Sequence, residues 1–162
     1  MSKGVIGLVE GTNTMFLIDK QAIPVDRWKD VIYGRVVVYY RLDKSDPYCT
    51  RLTVGGDRLN YPGDCITPEV SLTTVNLLLN SIVLTLNANF MTINIKDFYL
   101  NTPMVRSDYM LIKKVNLPNS VVIQYNIEAK ATRDGYVHLD IRQGMYGLPQ
   151  AGLISQKLLQ KG

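Results

Sequence analysis

The chain has 162 residues, of which 46% are hydrophobic and 20% charged, with a net charge of +4 and an isoelectric point near 9.0. That is enough apolar material for a core and too little charge for disorder, in a length that suits one domain or a piece of a larger one. The positive balance leans toward anionic partners such as nucleotides or nucleic acid. Two well-separated cysteines, Cys49 and Cys65, and a lone histidine, His138, give no zinc-type spacing and no disulfide framework.

The cysteines read as reduced thiols of an intracellular protein. The first seven residues lack the apolar run of a signal peptide. The most apolar window, 70–90, is interrupted by Asn76, Asn80 and Asn87, so no membrane span is expected.

In chain order, Thr14–Ile18 reads as a short strand closed by the Ile23-Pro24 turn. Val36–Arg41 is a strong β run. Turn chemistry follows at Asp43–Pro47, and Thr50–Val54 returns as a second strand. The two make a basic β-flap with Lys44 at its tip and Arg51 on its return strand. A helix is predicted from about Ser71 to Leu86, because Leu72, Val75, Leu79, Ile82, Val83 and Leu86 share one side; it is expected to be core scaffolding.

Phe90–Met104, FMTINIKDFYLNTPM, is the centre of the chain. Phe90–Ile95 is predicted to be a buried strand, breaking into Lys96-Asp97, the pair Phe98-Tyr99 and a Leu-Asn-Thr-Pro turn. Tyr109–Ile112 is expected to pair with it. Pro118–Glu128 reads as a helix, Tyr136–Ile141 as a strand with His138 as a structural residue, and Gly144–Gly152 as a glycine-rich turn. A last helix, Leu153–Gln160, reaches almost to the final residue, which reads as a piece of something longer. The fold class is α+β.

Four segments in this order resemble the reverse transcriptase domain of copia-type long-terminal-repeat retrotransposons: GRVVVYYR…TRLTVGGDRLNYPGD, TPEVSLTTVNLLLNS, MTINIKDFYLNTPM and IRQGMYGLPQAG. The resemblance covers nearly the whole chain from about Gly11. It implies a right-hand polymerase: a fingers β-hairpin over about 11–70, then a partial palm over 71–162, an antiparallel sheet backed by helices. It also implies RNA-directed DNA polymerisation as the ancestral activity. The implied partners are primer–template and deoxynucleoside triphosphate, the implied cofactor is Mg²⁺, and the setting is a cytoplasmic particle or the nucleus.

The resemblance assigns roles residue by residue. Arg51, with Lys44, would meet the triphosphate from the flap, where a cation offsets developing charge. Tyr99 stands where the family places an aromatic ring under the nucleotide sugar. Gln150 matches a glutamine near the sugar and template base. Asp97 would shape a turn whose N–H groups face phosphate, with a metal contact as the lesser reading.

The metal set is where the sequence departs. Two Mg²⁺ ions need carboxylates, and the family's first catalytic aspartate is here Asn94, a neutral amide. The family's Asp-Asp hairpin has no counterpart in this chain. The chain is therefore expected not to polymerise DNA as written. The other readings are a non-catalytic nucleotide- or nucleic-acid-binding module, carried by Arg35, Arg41, Lys44, Arg51 and Arg58, and an unstable remnant with exposed edges.

Overall fold

The computed structural model describes residues 7–42 and 47–161. Its centre is a mixed five-stranded sheet in the order β1-β5-β4-β2-β3. The strands are β1 (Met15–Ile18), β2 (Ile32–Tyr40), β3 (Tyr48–Val54), β4 (Pro103–Lys113) and β5 (Tyr136–Gln143). All neighbours are antiparallel except β2 and β4, which run parallel through Ile32↔Met110 and Tyr33↔Leu111. The α+β class holds; β4 and β5, the two strands after residue 70, pair antiparallel, and the parallel joint of β2 to β4 makes the sheet as a whole mixed.

The helices are α1 (Leu72–Leu84), α2 (Asn119–Gln124), α3 (Ile127–Lys130) and α4 (Ala151–Lys161). The helix predicted over 118–128 is divided, because Asn126 adopts the left-handed region at φ 47° and ends the first turn series.

Strand alternation explains the core. On β4, Asp108, Met110 and Ile112 point to one buried face, as period-two geometry requires. They meet Val137, Leu139 and Ile141 of β5, with Met15, Ile32, Val121, Ile127 and Met145 closing around them. β5 lies between β1 and β4 and is covered on both faces, so His138 and Asp140 are buried too. Trp28 caps His138 edge-on, with ring centroids 6.0 Å apart. The placement of His138 accords with a structural role.

Two expectations are overturned. Residues 90–95 form no strand and stay exposed. Their expected partner, Tyr109–Ile112 of β4, already has β2 on one edge at Met110 and Leu111 and β5 on the other, so this stretch has no open edge for them. The predicted helix forms, started by Ser71, whose Oγ accepts the Thr74 N–H at 3.1 Å. It is not core scaffolding: no residue of α1 is buried, and Leu78 is 59% and Val83 84% exposed.

Candidate functional site

The glycine-rich turn after β5 gathers the site. Val54 N–H donates to the Tyr146 carbonyl at 2.9 Å. Gly147 sits at φ +98°, and a Cβ there would run into the Val54 carbonyl. Only glycine meets both demands at once. At the other end of the turn, Gly144 N–H donates to the Thr102 carbonyl at 2.7 Å, and a Cβ on Gly144 would collide with the Tyr99 carbonyl. The turn thus clasps the end of β3 on one side and the 96–101 turn on the other. Tyr146 is left between them.

Arg51, exposed on β3, lays its guanidinium over the Tyr146 ring, with the central carbon 4.4 Å from the centroid, and lies 5.6 Å from the Tyr39 ring. Among the described residues no carboxylate lies within 4.0 Å of it. Tyr99 meets the other side of the cluster, edge-on to Tyr146 at 5.7 Å and tilted against Phe98 at 5.9 Å.

Two adjoining clefts share Tyr146. One, of about 210 Å³, is lined by Arg51 and Asp97 with Thr50, Leu52 and Leu100. The other, of about 410 Å³, is lined by Asn94 and Tyr99 with Ile93, Phe98 and Leu159. The structure therefore brings Arg51, Asp97, Asn94 and Tyr99 around one ring. Asp97 opens its turn at φ 53°, a region that Asp and Asn tolerate, and its carbonyl accepts the Asn101 N–H at 3.0 Å.

Two residues expected at the site are not in this cluster. Lys44 lies outside the described residues. Gln150 is fully buried, and its Nε2 donates to Asp108 Oδ2 at 2.7 Å, while its Oε1 has no partner among the described residues. Asp108 is the hub of a polar network absent from the sequence reading. Its Oδ1 accepts Arg27 Nη2 at 3.1 Å and lies 3.3 Å from Arg106 Nη2. Arg27 also reaches Asp30 Oδ2 at 3.0 Å and the Ser107 carbonyl at 3.1 Å. Burial pushes the Asp108 carboxyl above its ordinary range, against the opposing pull of Arg106, Arg27 and Gln150. One local signal existed: Arg106 and Asp108, two apart on a strand, must share a face.

The flap arginines stack on tyrosines. Arg41 lies over Tyr39 at 5.1 Å and Arg58 over Tyr33 at 5.8 Å, while Arg35 faces Asp57 at 3.9 Å. Guanidinium groups over rings on and just past the flap can meet both phosphate charge and a base face.

Mg²⁺ does not fit the residues present. Asn94 is neutral, Asp97 faces the other cleft beside a cation, and among the described residues no three His, Cys, Asp or Glu side chains gather as a metal group. Among the described residues no helix is long and apolar enough to cross a membrane. Compared with protein-family models, curated proteins and solved structures, the chain matches none.

Proposed function

We propose that the chain is a reverse-transcriptase-like module that binds nucleotide or nucleic acid without polymerising it. The observation that carries this reading is the convergence of Arg51, Asp97, Asn94 and Tyr99 on two clefts that share the Tyr146 ring. Arg51 supplies a cation that has no carboxylate partner among the described residues and can meet phosphate, and the tyrosines supply faces for a sugar or base. The missing carboxylate set argues against metal-dependent transfer by this chain alone.

The test is binding of a fluorescent poly(A)–oligo(dT) duplex and of a deoxynucleoside triphosphate at 50 and 200 mM salt. Affinity that falls steeply with salt, and falls further in Arg51→Ala, is the expected result. Absence of binding at low salt overturns the reading.

A second reading has its own observation. α1 exposes an apolar surface that a stable domain ordinarily covers. A chain with no cooperative melt would be a remnant rather than a binding module.

A further inference from the structure

A third cleft, of about 400 Å³, lies away from Tyr146, between the start of β4 and α4. That volume is within the range of small-molecule sites. Leu153, Ile154 and Leu158 of α4 and Val105 of β4 line it, with Tyr61 at one side. Leu153 is buried, while Val105 is 88% and Leu158 47% exposed, so an apolar surface stands open to solvent here.

Its polar groups are unequally committed. Lys157 and Lys161 line the same cleft and stand four residues apart on α4, hence on one face. Among the described residues neither has a carboxylate within 4.0 Å. The one carboxylate in the lining, Asp64, already accepts the Ile66 N–H at 3.0 Å. Lys161 sits in the last turn, where a cation offsets the exposed helix carbonyls, which leaves Lys157 as the principal free charge.

We propose that this cleft binds a small amphipathic anion, an apolar tail ending in a carboxylate. The tail would lie along Val105, Leu153 and Leu158, displacing water from apolar surface. The carboxylate would meet Lys157 and Lys161, whose apolar stems flank the tail and whose ammonium groups stay at the mouth. A neutral ligand of the same length would gain only the first contribution, and a short carboxylate only the second.

The experiment is a titration of the whole chain with octanoate, and separately with 1-octanol, followed by amide chemical shifts. Octanoate is expected to shift Val105, Leu153 and Leu158 saturably. Lys157→Gln with Lys161→Gln is expected to weaken octanoate about fivefold and leave 1-octanol unchanged. Val105→Trp fills the cleft and is expected to abolish both; Leu158→Trp repeats that test from α4. Equal affinity for octanoate and 1-octanol overturns the proposal. So does saturable binding that survives both tryptophan variants, since α1 would then be the apolar surface in use. Absence of saturable octanoate binding also overturns it.

Discussion

Arg51 and Tyr146 are stacked, guanidinium on ring, at 4.4 Å. The contact joins the flap to the glycine-rich turn and orients Arg51, a flap cation that lines the smaller cleft. A cation–π contact at an exposed site contributes about 0.5–1 kcal/mol. Tyr146→Ala should therefore weaken triphosphate binding by roughly two- to fivefold through loss of orientation, and Tyr146→Phe should restore it. Arg51→Ala should weaken it more and lower the slope of log affinity against log salt by about one. Equal effects of Tyr146→Ala and Tyr146→Phe would point to a role for the hydroxyl instead.

Asp97 shares that cleft with Arg51, so a bound phosphate would feel its negative charge. Asp97→Asn keeps a residue suited to φ 53° and removes the charge. It is expected to tighten triphosphate binding, by up to about fivefold for a partly exposed charge. Asp97→Ala carries the same electrostatic gain but strains the turn, so its thermal midpoint should fall below that of Asp97→Asn. An Asp97→Asn variant that binds more weakly would mean that the carboxylate touches the ligand through its own hydrogen bonds.

The Asp108 network gives the largest expected stability effect. Asp108→Ala leaves Arg27 and Gln150 without their shared acceptor inside the protein. Breaking a buried pair from one side costs about 3–5 kcal/mol. Gln150→Leu removes one neutral donor together with an acceptor that already lacks a partner, so it should cost less, about 1 kcal/mol. Urea midpoints at neutral pH would order the two. If Gln150→Leu instead abolishes ligand binding with stability intact, Gln150 belongs to the site and its bond to Asp108 is a resting arrangement.

Sequence periodicity made much of the sheet legible. The β runs at Val36–Arg41 and Thr50–Val54 and the alternation in Tyr136–Ile141 correspond to strands; Leu52, Val54, Val137, Leu139 and Ile141 point into the core, whereas 36–40 contribute only Val36 to its edge. α1 was legible too, within two residues at each end, from its apolar stripe. What periodicity cannot specify is the neighbour. A stripe reports that a helix has an apolar side, and α1 has one, but the stripe does not say whether anything packs there. Likewise Phe90–Ile95 has strand-like composition, yet pairing depends on a free edge far away in sequence. Arg51, Asp97, Asn94 and Tyr99 were singled out from the resemblance. The ring they surround, Tyr146, lies within Ile141–Gly152, where the resemblance assigns it no role. Its meeting with Arg51 depends on the close approach at Gly147, which is a tertiary fact.

His138 should give acid sensitivity. Burial, aided by the charge of nearby Lys20, holds its pKa below the ordinary 6.5. The unfolded chain therefore binds a proton near pH 6.5 that the folded chain resists. Stability from this group is fully present above pH 6.5 and declines as pH falls through and below that value. Asp108 acts with the opposite sign. Its raised pKa lets the folded state keep a proton that the unfolded state releases near 3.8, so its contribution falls as pH rises from there. Melting midpoints between pH 4.5 and 7.5 should drop toward acid in the native chain and drop less in His138→Gln. An unchanged slope in that variant would remove His138 as the cause.

Polymerase chemistry is the most direct test of how the site is built. With Mg²⁺ on a poly(A)–oligo(dT) template, the native chain is expected to extend no primer. Asn94→Asp alone should not restore extension. The new carboxylate would stand in the Tyr99 cleft, whereas Asp97 faces the Arg51 cleft, and among the described residues lining the two clefts there is no other acidic or imidazole group. Two divalent ions need several carboxylates at close quarters, both for charge and for octahedral geometry. Extension should return only when a segment bearing paired aspartates is supplied together with Asn94→Asp. If Asn94→Asp suffices, the two clefts must merge on binding primer–template, bringing residues 94 and 97 to one metal. If the native chain already extends primers, the carboxylates come from another chain, and Asn94 is an ordinary ligand-facing amide rather than the point of failure.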